Sequence, residues 1–532
     1  MESLSDTIWD VVICGTGLQQ SLLALALSRS NKNILHIDPN QYYGGSEAAL
    51  SLAEADAWAA ARPEASATRA KSSEEDAPKL GPLSAYSVAL APQFLHARSA
   101  LVDLLVSSRA FRQLEFLAVS SFFVLDSSSA TPSISRIPAT REDVFASTAM
   151  PARAKRQLMK FLKFVLAFDL EGGEEEGGWK EHADEPMGVF LESKFGLDDV
   201  LRDNVLALTL SLDGPSVTVR QGLTRLHRHI SSMGLFGPGF AAVYPKWGGC
   251  GEIVQVACRA AAVGGGIYML GSGIKSVKEV KEAAEPVEEG HSDKLLELEL
   301  TRDMTVKTKL LVRGDEDIEA EAVTVPTPAT SDQLSQLSRL IAVVGAPLPF
   351  LFAPTVEGAP VAGGAVIALP AGRAVSADGP ATEHPVFVMA HSSDTGECLS
   401  GQSVLHFTTI RTENSKTLLE STLATLLAAF AKEAGDEGEG EDGSIPILYQ
   451  LYYEQPRAEQ AKQAEESESD DNGLTFRFPP LPVDLMVQDA PLNIVKEAWR
   501  RVMGDEAEAD DGPAYMQFVD REGNDADDVE YD

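Results

Sequence analysis

Gly15 and Gly17 close the apolar run Trp9-Asp-Val-Val-Ile-Cys14, and Asp38 ends the next apolar run, Ile34 to Ile37. This is the spacing of a dinucleotide site: a glycine turn lets backbone approach a pyrophosphate at a helix N-terminus, and a carboxylate accepts hydrogen bonds from ribose. The chain breaks that rule at the third glycine, where Gln20 places a long amide. It breaks it again after Gly44-Gly45, where many flavin oxidases of this layout carry an arginine for the flavin diphosphate and this chain has Ser46. A flavin would lose both the helix approach and the countercharge, so the expectation is a cofactor scaffold with no cofactor. Two glycines alone would also serve a tight turn in any α/β domain. The order strand, helix, acid, Gly-Gly is more specific.

A second constellation lies in Tyr244-Pro-Lys-Trp247-Gly-Gly-Cys-Gly251-Glu252-Ile-Val-Gln255-Val-Ala-Cys-Arg259. A glycine-rich turn opens a helix on which Glu252, Gln255 and Arg259, three and four apart, share one face. That face is either a wet intrahelical network, contributing only a few tenths of a kcal/mol, or a polar docking cluster. Other chemistry has no support. The cysteines Cys14, Cys250, Cys258 and Cys398 form no Cys-x-x-Cys pair and read as reduced core thiols. The histidines form no His-Glu-x-x-His motif, so no metal site is expected. No Gly-x-Ser-x-Gly elbow or Walker loop supports acyl or phosphoryl transfer.

The elements that would hold these residues follow from periodicity. A strand from Trp9 to Cys14, a helix from Leu18 to Ser30 and a strand from Ile34 to Ile37 make a βαβ unit. Residues 54–79 read as an inserted loop with a frayed helix. Order returns with helical spacing in Pro92 to Ser108, strands in Leu114 to Leu125, and a helix start with Thr140 as N-cap. From Pro151 to Gly234 the pattern is helical: Arg153 to Phe168, Met187 to Phe195, Asp198 to Leu210 and Val217 to Met233. Thr308 to Val312, Glu321 to Val325, Ala365 to Leu369 and Pro385 to Met389 read as strands. The resulting division is 1–134 and 236–500 for one α/β domain, 135–235 for a helical domain inserted into it, and 501–532 for an acidic disordered tail.

The 532 residues carry a formal charge of −36. Phosphate-backbone binding needs clustered cations, so nucleic acid is excluded as a partner. Much of the acidity sits in tracts, 171–185, 436–442, 465–471 and the tail from Gly504, where twelve acids accompany only Arg521. Such tracts are usually solvated. No basic-then-apolar leader and no run of apolar residues long enough to span a bilayer is present, which reads as a soluble, intracellular chain.

Two stretches bring a resemblance into view. Asp10-Val-Val-Ile-Cys-Gly-Thr-Gly-Leu with Leu35-His-Ile-Asp-Pro-Asn-Gln-Tyr-Tyr-Gly-Gly, and the Tyr244 to Leu270 run, resemble signature blocks of the family of Rab GDP-dissociation inhibitors and Rab escort proteins. Leu158-Met-Lys-Phe-Leu-Lys-Phe164 is similar to the entry helix of that family's helical domain. The resemblance covers about Trp9 to Leu270. It implies an α/β, Rossmann-like FAD/NAD(P)-binding fold of the dissociation-inhibitor type with an inserted all-helical domain, and no bound flavin. It also implies a platform for GDP-bound Rab GTPases at Tyr43, Glu252, Gln255, Arg259 and Met269. By the same resemblance the helical domain holds the Rab geranylgeranyl lipid, with Leu162, Val165, Leu206 and Leu210 as candidate lining residues. Apolar periodicity alone does not separate such a pocket from a filled core. Phe164 resembles the phenylalanine by which escort proteins dock on the α subunit of the geranylgeranyltransferase α/β heterodimer, although the position also suits a core. Together with the chain's acidic inserts, Phe164 favours the escort type. That type is noncatalytic and cytoplasmic, and it touches membranes transiently to deliver lipidated Rab. The alternatives are a dissociation inhibitor recycling prenylated Rab and an FAD-dependent amine-oxidase-like enzyme.

Overall fold

A computed structural model describes residues 4–519, apart from 71–77, 128–130, 139–140, 147–149, 171–177, 282–293, 315–333, 376–380, 435–443, 459–472 and 510–511. The first apolar run divides at Asp10. Ile8–Trp9 joins an antiparallel layer, Ile274–Lys281, Lys294–Leu300 and Met304–Thr308, by pairing parallel to its last strand. The remainder, β1 (Val11–Cys14), enters a parallel sheet with β2 (Ile34–Asp38), β3 (Ile267–Leu270), β4 (Leu311–Gly314) and β5 (Thr475–Phe478), in the order β3-β2-β1-β4-β5. Every residue of β1 is buried, as the uninterrupted Val-Val-Ile-Cys run requires of a strand covered on both faces. Helices α1 (Leu18–Leu27), α2 (Cys250–Val263) and α3 (Ala490–Met503) cover one face through Val11, Ile13 and Ile34. The antiparallel layer covers the other through Leu296, Leu298 and Val306 against Val12, Leu35 and Ile37.

A large mixed sheet carries the rest of the core. Its order is Ser66–Arg69, Ile447–Ala458, Leu334–Val344, Ser403–Ile410, Val386–Ser392, Gly364–Leu369, Phe116–Asp126, Ala242–Pro245, Leu95–His96, and the helix Ser415–Ala434 lies on one side of it. Beyond its other side sits a helical bundle: Ala152–Leu166, Met187–Phe190 continued by a π-type turn at Leu191–Phe195, Asp199–Leu208, and Val219–Ser232. The bundle's caps are local. Asp198 accepts from the Leu201 N–H at 3.0 Å, and Thr218 with Gln221 forms a reciprocal capping box. Phe161, Val165, Phe190 and Phe195 fill its centre.

Three expectations need correction. Within the stretch 54–79, residues 54–69 are not a frayed loop: the helix Leu52–Ala60 is capped by Ser51 and Glu54 and buries Leu52, Ala55 and Ala59, and Ser66–Arg69 pairs along Tyr449 to Tyr452. The small apolar face of that helix is hidden by its alanine-rich composition. Thr308 to Val312 is no single strand, because Lys309 and Leu310 turn the chain from the antiparallel layer into β4. The acidic tail packs as far as Val519: Met516 is fully buried, and Tyr515 stacks on Trp499 at 5.4 Å. Its apolar residues, interleaved with acids, anchor it. Thr140 and Glu321 to Val325 lie outside the described residues.

All four cysteines are free and buried. Among the described residues no helix is long and apolar enough to cross a membrane.

Candidate functional site

The cradle between β1, α1 and β2 has the shape expected from its glycines and is filled by the chain itself. Gly15 adopts φ +88°, a left-handed turn open to glycine, and its carbonyl is bonded to His36 Nε2 at 2.6 Å. Burial takes the His36 imidazole down to about 4, so it stays neutral there. Asp38, expected to hold a ribose, has both oxygens engaged internally. One accepts from the Thr16 N–H at 2.8 Å and hydroxyl at 2.6 Å, the other from the Asn40 N–H at 2.7 Å and amide at 3.0 Å.

The N-terminus of α1, where a pyrophosphate would sit, is occupied by a carboxylate. Leu18 N–H donates to Glu47 Oε2 at 3.0 Å, and the Ser46 hydroxyl donates to Glu47 Oε1 at 2.7 Å. Negative charge at a helix N-terminus is favourable whoever supplies it. Gln20 adds bulk: a Cβ on Gly17 would come within 3.0 Å of its Oε1. The space left between Gly17, Glu47 and Pro479 is about 20 Å³, room for roughly one water molecule. A flavin dinucleotide does not fit these residues. Sequence reading singled out Gln20 and Ser46 but passed over Glu47, whose approach to α1 depends on the turn at Gly44, φ +105°.

Glu47→Ala is expected to cost about 1–3 kcal/mol, the usual range for a buried donor left unpaired. Urea unfolding measures this. The variant should still purify without visible flavin absorbance, and a yellow protein would show that the cradle remains usable.

The platform residues lie around α2 and the edge strand β3. Cys250, Ile253, Val254, Ala257 and Cys258 bury one side of α2, leaving Glu252 and Gln255 half-buried and Arg259 exposed on the other. Glu252 and Arg259 do not form the close charge pair their spacing suggested. Burial raises the Glu252 carboxyl, and the Arg259 charge only lowers it partway back. Tyr43 is half-buried against Tyr268, ring centres 6.1 Å apart. Met269 is not beside them: strand alternation turns Tyr268 toward α2 and Met269 to the opposite face, over the antiparallel layer. It meets the other four only around the edge of β3.

Trp247 was missed as a surface residue, although its motif was noticed. It is 48% exposed and held at φ +72°. Its N–H donates to Thr395 O at 2.8 Å, its carbonyl accepts from Ser87 at 2.7 Å, and its ring covers Gly396, where any Cβ would collide. Strained backbone of this kind persists only when neighbours over-determine it. Behind it, fully buried, Glu397 accepts from Tyr244 Oη at 2.6 Å and contacts His391 Nδ1 at 2.6 Å and His406 Nε2 at 3.3 Å. Burial alone would raise the Glu397 carboxyl, but the two imidazoles outweigh it and hold it below the ordinary carboxylate range. These three residues also have the make-up of a metal-ligand set, brought together by two consecutive paired strands and the turn between them at a spacing that matches no metal motif named above. The 2.6 Å contact is hydrogen-bond length, whereas two ligands on one tetrahedral zinc stand about 3.3 Å apart. The cluster is a polar brace for the Trp247 turn.

The expected lipid-lining residues are not gathered. Val165 is buried in the bundle core, Leu210 is buried in a different core under the large sheet, and Leu162 and Leu206 are half-buried at the bundle's margin. Leu210 is diverted because the chain leaves its helix at φ +54°. Phe164 is half-buried against Phe195 at 5.2 Å and Phe190 at 6.0 Å. Sequence reading also missed an apolar groove of about 400 Å³ lined by Val106, Phe111, Phe116, Phe236, Phe240 and Val361. Val106, Phe236 and Val361 are about half exposed.

The sequence profile described as "GDP dissociation inhibitor" matches residues 5–294. The chain is similar to a Rab proteins geranylgeranyltransferase component A of Saccharomyces cerevisiae, 33% identical over 283 residues, covering 52% of this chain and 45% of that protein. It is also similar to a Rab GDP-dissociation inhibitor of Pyricularia oryzae, 30% identical over 276 residues, covering 50% and 56%. The chain thus spans about half the length of the curated relatives it matches. In fold it is similar to a Rab GDI from Plasmodium falciparum, TM-score 0.62 at 19% identity, covering 93% of this chain and 98% of that one. A Methanosarcina mazei oxidoreductase is similar at TM-score 0.55 and 12% identity, covering 92% and 99%.

Proposed function

The chain belongs to the GDP dissociation inhibitor family, and on that premise we propose that it is the noncatalytic escort component of a Rab geranylgeranyltransferase. It takes up a GDP-bound Rab, presents the Rab's C-terminal cysteines to the transferase α/β heterodimer, and carries the lipidated product through the cytoplasm to membranes, touching them transiently. The observation that carries this reading is Glu47 at the N-terminus of α1. A carboxylate there leaves the nucleotide cradle as scaffold and its outer rim as the working surface. That rim presents Trp247, Gln255, Arg259 and Tyr43, the mixture of aromatic, amide and guanidinium groups typical of protein interfaces. Arg259, being exposed, acts as a rim charge that speeds association and makes it salt-dependent.

The apolar groove at Phe236 suits an extended apolar segment of the Rab tail. A twenty-carbon lipid costs up to about 16 kcal/mol to leave in water at roughly 0.8 kcal/mol per CH₂. The bundle core is filled, so taking up the lipid requires the helices at Leu162 and Leu206 to part.

One reconstitution tests the escort role: this chain, unprenylated Rab, transferase and geranylgeranyl diphosphate. Lipid transfer should rise when the chain is added, and no rise would end the escort reading. The similarity to the Pyricularia protein favours a second reading, a recycling inhibitor. That activity would extract prenylated Rab from membranes without supporting transfer. Phe164→Ala should leave Rab affinity unchanged and weaken transferase recruitment by about 2 kcal/mol, roughly thirtyfold. Pull-down titration and initial transfer rates measure it, and unaltered recruitment would remove Phe164 from the interface.

A further inference from the structure

The first helix of the bundle, Ala152–Leu166, carries Arg153, Lys155, Arg156, Lys160 and Lys163 and no acid, in a chain of net charge −36. Arg153, Arg156, Lys160 and Lys163 recur at three, four and three. That spacing sets them in one row about 15 Å long, on the side of the helix away from its buried Leu158, Phe161 and Val165. All four are exposed, and among the described residues none of them meets a carboxylate. Lys160 is held only loosely, 5.7 Å from the Phe195 ring. Lys155, on another side, donates to Phe145 O at 2.8 Å.

Helix stability does not ask for this row. Pro151 offers no side-chain cap, the first turn holds no acid, and Arg153 there opposes the positive end of the helix dipole. Just past Lys163, Leu166 and Leu170 are 58% and 48% exposed. Protein interfaces centre on well-packed anchors, whereas a straight row of unbraced cations beside exposed leucines suits the diffuse charge and shallow apolar layer of lipid headgroups. The acidity elsewhere on the chain is screened beyond about 8 Å at physiological salt, so the row acts locally. We propose that this face of the helix is a docking surface for the anionic phospholipid headgroups of a bilayer. Its use, delivering lipidated Rab from the same bundle, rests on the escort reading. The docking does not.

Each cation close to an anionic surface strengthens partitioning by about fivefold. The test is flotation of the full chain, without Rab or transferase, on vesicles of phosphatidylserine and phosphatidylcholine in equal parts and on vesicles of phosphatidylcholine alone. The parent should float with the first and not the second, and should be released at about 1 M salt, where the screening length is about 3 Å. Arg153→Gln/Arg156→Gln should weaken the association roughly 25-fold. Its urea unfolding should match the parent's, since neither side chain has a partner to lose. If it does not, Lys163→Gln at the other end of the row takes its place, with a loss of about fivefold. A parent without preference for phosphatidylserine overturns the docking, and so does equal binding by a folded variant. The same variants titrated against the transferase distinguish a protein occupant: transferase binding weakened, with no lipid preference in the parent, gives the row to an acidic protein face and overturns the proposal. Failure of the escort reading shows elsewhere, as lipid transfer that does not rise while vesicle binding persists.

Discussion

Glu397→Ala is expected to lower the free energy of unfolding by about 3–5 kcal/mol, the cost of removing one member of a buried ionic network. Three buried groups lose their partner together: the Tyr244 hydroxyl, His391 Nδ1 and His406 Nε2. None can reach water, since Tyr244, His391 and Glu397 are fully buried and His406 is 1% exposed. Glu397→Gln should fall between variant and parent, because an amide keeps one acceptor oxygen. The effect should extend to function. Thr395 and Gly396, on the same turn, set the position of Trp247, so Rab affinity should fall along with stability. Urea unfolding and a Rab titration on the same preparation check both; a loss under about 1 kcal/mol would mean that Glu397 is not the brace.

Asp484→Ala should cost a similar amount, about 3–5 kcal/mol, for a different reason. Asp484 accepts from Arg225 Nη2 at 3.2 Å and from Arg457 Nε at 2.8 Å. Arg225 belongs to the helical bundle and Arg457 to the large sheet, so this carboxylate joins the two bodies. Arg457 keeps Asp213 at 3.0 Å after the change, but Arg225 is left with only the carbonyls of Thr209 and Leu210. Hydrogen exchange should therefore rise across the helix Val219–Ser232 more than in β1. Uniform acceleration would place the loss in global stability and not at this joint.

Much of this was legible in the chain, and the boundary has a physical cause. The βαβ unit was readable because β1 is buried on both faces and its glycine turn has few alternatives. The bundle helices were readable because each is amphipathic and locally capped, with ends within a few residues of those expected. Glu47 was not readable, since nothing local marks a glutamate after Gly-Gly-Ser as one that folds back onto a helix N-terminus. Glu397 with His391 and His406 gather across one hairpin turn at spacings of six and nine that follow no familiar period, and Asp484 meets Arg225 from far along the chain. Met269 lies apart from the other platform residues through the two-residue alternation of β3, and Leu210 apart from the other lining residues because the chain leaves its helix through a left-handed residue.

The burial of Cys14, Cys250, Cys258 and Cys398 has a meaning for a protein proposed to hand cysteines to an alkylating enzyme. Burial takes the Cys258 thiol up to about 11 and Cys250 higher still, so neither offers a thiolate at neutral pH. In the proposed role, the partner's reactive group is a sulfur and this chain exposes no sulfur nucleophile of its own. An escort built this way would sit beside the lipid donor through many turnovers without becoming a decoy substrate.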